Sequence, residues 1–116
     1  MMLKLAAALL VLVVACHGFL PNVGGYKDRP DLVNDDKVKA LTSYAAEYLS
    51  RAQNLFLANL RIIKVQTQVV DGLNYKIDFS ATPVNGAPGQ KTTCQVVVHV
   101  RFDASKNIAQ SQCQTS

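Results

Sequence analysis

Asp71-Gly72 is the feature that most constrains how this chain folds. It sits between two alternating apolar runs. Asp-Gly in that setting is a strong hairpin signal, because a two-residue primed turn needs positive φ and glycine adopts it without steric cost. The spacing predicts a tight hairpin at Gln68-Val69-Val70-Asp71-Gly72, and with it an antiparallel sheet. The tip is unusual in composition. Val69 and Val70 are apolar where solvent favours polar residues, and an apolar tip on a stiff hairpin suits insertion into a partner's cleft. The plain alternative is that both valines are ordinary strand residues beside an unused turn.

The two ends of the 116-residue chain read differently. Met1 to Lys4 is short and positively charged, Leu5 to Ala15 is apolar, and Cys16-His17-Gly18 closes the run with a small residue. That order predicts a secretory signal peptide over residues 1–18, cut after Gly18, and one folded domain over residues 19–116. The apolar run is too short to span a bilayer; a retained surface anchor is the alternative. Without Lys4, eleven basic residues face eight acidic ones, a charge of +3. They are scattered and do not interleave with aromatics, so nucleic acid is not an expected partner. Nor is a membrane, once the signal is removed. Cys94 and Cys113 form an even pair in a chain read as secreted to the extracellular space, which predicts a disulfide between them.

The order of elements follows from periodicity. Residues 19–31 carry paired glycines and two prolines and read as an exposed arm. Asn34 is the expected helix N-cap, with Asp35 and Asp36 in the first turn. Val38, Leu41, Ala45, Tyr48 and Ala52 recur at spacings of three and four, widened by Tyr44 and Leu49, an amphipathic helix of about five turns. Leu57 to Val70 is rich in β-branched residues. Tyr75, Ile77 and Phe79 alternate with Asn74, Lys76 and Asp78, a strand with one face buried. Residues 81–91 hold Pro83, Asn85-Gly86 and Pro88-Gly89 and read as a loop. Cys94, Val96, Val98, Val100 and Phe102 share one face of a further strand, and residues 108–113 can form a last short one. One helix followed by three or four antiparallel strands is an α+β architecture, the helix lying across one face of the sheet.

Signal peptide, glycine-bearing arm, long helix, hairpin and strands in this order resemble a secreted cystatin, an inhibitor of papain-like cysteine proteases. Gln68, Val70 and Gly72 match the family's Q-x-V-x-G motif, Leu73 to Phe79 resembles the strand that follows it, and Val23-Gly24-Gly25 matches the arm's glycine motif. The resemblance implies a cystatin-like fold with a twisted sheet of four to five strands. It implies cathepsin-like proteases as partners, a monomer, and reversible, competitive blocking of the active-site cleft. Val23 would fill an apolar pocket, and Gly24 would let the arm pass close to the cleft wall, although paired glycines also suit a plain flexible arm. Gln68, Val69, Val70, Asp71 and Gly72 would form the first hairpin of the wedge. The Gln68 amide can both donate and accept.

The chain departs from the family pattern in ways that matter. Secreted cystatins usually carry two disulfides and a second hairpin with Pro-Trp; this sequence has no Trp. The equivalent turn falls near Arg101-Phe102-Asp103, where Phe102 either replaces the lost apolar contact or belongs to the core. Position 22 is Asn where a larger apolar residue is common. These departures imply weaker or narrower inhibition, or a secreted cystatin-fold interaction protein that no longer inhibits. Ala52-Gln53-Asn54 does not reproduce the Ser-Asn-Asp stretch through which some cystatins inhibit legumain, and Asn54 reads as a helix C-terminal residue. Nothing in the inventory supports an enzyme. His99 lies within a valine-rich strand, both cysteines are expected to be paired, and no phosphate-binding glycine motif is present. No cofactor and no metal is expected.

Overall fold

The computed structural model describes residues 25–116. A short strand, β1 (Lys27–Asp28), leads into a single 3-10 turn at Pro30–Leu32 and then into the one α-helix, α1 (Asp36–Gln53). Four long strands follow: β2 (Leu57–Val69), β3 (Leu73–Pro83), β4 (Thr92–Val100) and β5 (Lys106–Thr115). They form one antiparallel sheet in the order β1-β2-β3-β4-β5, each strand beside its neighbour in sequence. This is the α+β arrangement expected, with an additional two-residue edge strand cut from the arm.

The helix begins one residue later than its sequence suggests. Asp35, not Asn34, is the N-cap, and its carboxylate accepts the Val38 amide at 3.2 Å. A charged cap also meets the positive end of the helix dipole, which favours it over the neutral amide one position earlier. Asn54 ends the helix in the left-handed region at φ 56, a conformation asparagine tolerates, and the Leu55 amide bonds back to the Leu49 carbonyl at 3.2 Å. The buried stripe is Val38, Leu41, Thr42, Ala45 and Leu49. Tyr48 and Ala52 lie outside it and are exposed. The stripe follows the positions that stay over the core as the helix turns, and Thr42 joins it because its hydroxyl donates to the Val38 carbonyl at 2.8 Å, leaving no polar atom unpaired.

The helix covers the sheet face formed by Val65, Tyr75, Ile77, Phe79, Ala81, Cys94, Val96 and Val98, all buried. β2 is the strand that bends to follow it. Its pairing with β3 slips between Ala58 and Arg61 and again between Ile62 and Lys64, and Asn59 takes positive φ at 55° within the first slip. Bulges of this kind sharpen strand twist and curvature. β3 runs on to Pro83, three residues into the stretch read as a loop, because Ala81 faces the core. β5 is likewise longer than the six residues expected. Cys94 and Cys113 stand directly opposite each other across β4 and β5 and are joined by a disulfide.

Candidate functional site

Two hairpins lie at the same end of the sheet. The first joins β2 to β3, and Val69 pairs with Leu73, so the connection is the three residues Val70, Asp71 and Gly72. The expected two-residue loop is one residue longer. Asp71 and Gly72 nonetheless both take positive φ, 44° and 114°, the conformational demand that the Asp-Gly pair signals. The Val70 amide donates to the Gly72 carbonyl at 3.2 Å and closes the loop. Val69 is 73% exposed and Val70 43%, so the apolar crest faces solvent.

Gly72 itself is buried, for a reason no local signal carries. A Cβ there would fall on the Val100 carbonyl oxygen and come within 2.9 Å of the Arg101 Cα. The first hairpin therefore tucks its glycine against the backbone from which the second hairpin leaves. Leu73 pairs with Val100 in the sheet immediately beside this contact. Only a residue without a side chain permits so close an approach, and its φ favours glycine independently. Gly72 thus fixes the spacing of the two tips, and the surface that the loop offers is made by its neighbours.

The second hairpin joins β4 to β5 through residues 101–105. The Arg101 amide donates to the Ser105 carbonyl at 2.9 Å, the Ala104 amide to the Arg101 carbonyl at 3.0 Å, and Ala104 takes φ 72. This is a turn followed by one left-handed residue, a common three-residue hairpin loop. Asp103 Oδ1 accepts from the Ser105 hydroxyl at 2.7 Å and from its amide at 3.0 Å. The hydroxyl bond first, and the amide bond with it, hold the Asp103 carboxyl below its ordinary pKa. Its contribution to the turn is therefore complete above the ordinary carboxylate range and is lost as pH falls through the lower folded value. Helix α1 braces the root: Tyr44 Oη donates to the Lys106 carbonyl at 3.3 Å, and the Lys106 ammonium lies 5.1 Å from the Tyr44 ring centre. Phe102 sits at the tip, 84% exposed. Of the two roles its position allowed, membership of the core is excluded.

The root of the arm reaches the same end. Lys27 pairs with Thr67 and Asp28 with Gln66, and the Arg29 amide donates to the Val65 carbonyl at 2.8 Å. Because β1 runs antiparallel to β2, the chain traced back from Asp28 to Lys27 heads toward the first hairpin. Lys76 lies 5.0 Å from the Tyr26 ring centre and ties that segment to β3. Val23, Gly24 and the segment read as a signal peptide lie outside the described residues. Sequence reasoning missed β1. Two exposed residues carry no periodicity, and only the free edge of β2 makes them a strand.

What these elements form is an exposed edge, from which three apolar side chains project: Val69, Val70 and Phe102. Among the described residues, no group of three or more His, Cys, Asp or Glu could hold a metal ion, and no helix is long and apolar enough to cross a membrane.

The cystatin domain family model matches residues 24–100, two thirds of the chain and the whole span from the arm's glycines to the end of β4. The chain belongs to the cystatin family. Cystatins are inhibitors of cysteine proteases, and this chain is of that class and not an enzyme. It is similar to Mialostatin of Ixodes ricinus, 29% identical over 112 residues that cover 92% of this chain and 71% of that protein. Its fold is similar to that of Al-CPI, with a TM-score of 0.66 and 24% identity over 80% of this chain and all of that one. It also resembles a salivary cystatin of the soft tick Ornithodoros moubata, with a TM-score of 0.65 and 20% identity over 78% of this chain and 97% of the other. The family match stops at Val100, so the second hairpin of this cystatin, with Phe102 at its tip, lies beyond the part that the family model matches.

Proposed function

We propose that this cystatin is a secreted, monomeric, reversible and competitive inhibitor of papain-like cysteine proteases of the cathepsin L, B and S kind. It acts by laying three elements into the active-site cleft: the arm with Val23 and Gly24, the hairpin Gln68 to Gly72, and the hairpin that carries Phe102. The observation that carries this reading is the pair of exposed apolar tips, Val69–Val70 and Phe102, locked side by side by the contact of Gly72 with the Val100–Arg101 backbone. A wedge that is rigid before docking loses little entropy on binding, so nanomolar affinity, about −12 kcal/mol, is within reach of an ordinary interface. Export through the segment 1–18, leaving 19–116 as the working domain, fits a protein that meets its partner outside the cell and carries a disulfide.

The absence of tryptophan from the second hairpin favours the other reading, a cystatin-fold protein that binds partners without inhibiting. Titration of the domain 19–116 against cathepsin L-like and cathepsin B-like enzymes decides between them. Competitive inhibition in the nanomolar range supports the inhibitor. A folded protein that leaves both enzymes untouched at micromolar concentration supports the alternative.

A further inference from the structure

Behind the first hairpin, on the sheet face away from the helix, three polar side chains form a row across three strands. Gln68 of β2 pairs with Asn74 of β3, and Asn74 pairs with His99 of β4. Asn74 Nδ2 donates to Gln68 Oε1 at 3.1 Å, and Asn74 Oδ1 lies 2.6 Å from His99 Nδ1. An amide oxygen can only accept, so His99 Nδ1 carries the proton of that bond. In this arrangement the donor–acceptor order runs one way from end to end. His99 donates to Asn74, Asn74 donates to Gln68, and the Gln68 oxygen is engaged inside the row. What Gln68 has left to show is its NH2 group. Flipping either amide alone would oppose oxygen to oxygen or donor to donor and lose a bond; only the concerted flip of both, with His99 protonated on Nε2 instead, keeps two bonds, and it turns the Gln68 oxygen outward.

We propose that Asn74 and His99 are positioning residues that turn the donor edge of the Gln68 amide outward, toward a hydrogen-bond acceptor such as a main-chain carbonyl on the wall of the protease cleft. The inference rests on the inhibitor reading above and adds to it a polarity: of the two things a glutamine amide can do, this one donates. It gives a task to His99, a residue with no part in a catalytic site. It also gives one to Asn74, which lies on the face of β3 turned away from the core.

Asn74→Asp tests this without changing side-chain volume. An aspartate at 74 still accepts from His99, but it can no longer donate to Gln68. It can only accept, so the Gln68 amide reverses and presents its oxygen outward. Inhibition of a cathepsin L-like enzyme is expected to weaken by about tenfold, the effect of one misdirected hydrogen bond. The same substitution made in a Gln68→Ala background is expected to have no further effect, because its action runs through Gln68. In the free protein, the side-chain NH2 resonances of Gln68 report the reversal directly: solvent-facing in the unaltered chain, hydrogen-bonded in Asn74→Asp. Equal inhibition by the two proteins overturns the inference. So does a tenfold loss that persists without the Gln68 side chain, or Gln68 resonances that do not move. An unaltered chain that fails to inhibit at all overturns the inhibitor reading instead. The resonances then still decide the polarity of the row.

Discussion

The two ends of the sheet both expose apolar side chains, yet only one of them is built to present them. At the hairpin end, Val69 and Phe102 stand on short turns whose backbones are pinned by positive φ, by the Gly72 contact and by the Tyr44 brace. At the opposite end, Val84 is 60% exposed and Phe56 43%, beside a groove lined by Ser43, Glu47 and Ser50 of the helix. That end is stitched rather than pointed. The Val84 amide bonds to the Phe56 carbonyl at 2.9 Å, Lys91 and Ser116 exchange two backbone bonds at 3.0 Å, and the disulfide closes β4 on β5 nearby. On the proposed reading, exposed apolar area alone does not mark a binding edge, whereas convergence of stiff, short turns does.

The sharpest way to break the contrast is at Gly72. Gly72→Ala places a Cβ on the Val100 carbonyl oxygen at a φ that alanine rarely adopts. Strain and overpacking together are expected to cost about 3 kcal/mol of stability, read as a lower denaturant midpoint. Inhibition is expected to fall more than a hundredfold in whatever folds, because the tips separate. Gly72→Arg should be worse. Removing the staple at the other end separates stability from function. The Cys94→Ser, Cys113→Ser double variant is expected to lose about 3 kcal/mol on the chain-entropy account of its loop. Below its lowered melting temperature it should inhibit as well as the unaltered chain.

Phe102→Ala comes next in size. A residue so exposed adds little to the fold, so melting should not move, while inhibition is expected to weaken by roughly 30-fold if Phe102 is an anchor in the cleft. Val84→Ser at the opposite end is the matched control. It removes a similarly exposed apolar group, and inhibition should be unchanged. The smallest effect is expected at Ala104. Its φ of 72 is unfavourable for any residue with a Cβ, so Ala104→Gly should raise stability by about 1 kcal/mol in a denaturation experiment and leave inhibition intact.

The same contrast explains what was legible in the sequence. The first hairpin announces itself because Asp71-Gly72 states its backbone requirement locally. The second does not. The alternation of Cys94, Val96, Val98 and Val100 runs on to Phe102 without interruption, and its left-handed position is filled by Ala104 instead of a glycine. Asp103 and Ser105, which close that turn through side-chain bonds, are the signal that could have placed it. The length and period of the helix were readable, but its buried face was not fully so, since Thr42 replaces Tyr48 and Ala52 through a bond to its own backbone. The purpose of Gly72 was hidden for a different reason. The atoms that demand a glycine belong to Val100 and Arg101, a strand away, and no window around residue 72 contains them.

Hydrogen–deuterium exchange of the protein with and without a papain-like protease measures the central claim most directly. Two crests fixed side by side by one buried glycine should both be covered, so exchange is expected to slow at residues 68–73 and 101–105 together and to stay unchanged at 84–91. Protection confined to 84–91, with both hairpins exchanging as freely as in the unbound protein, would contradict the account.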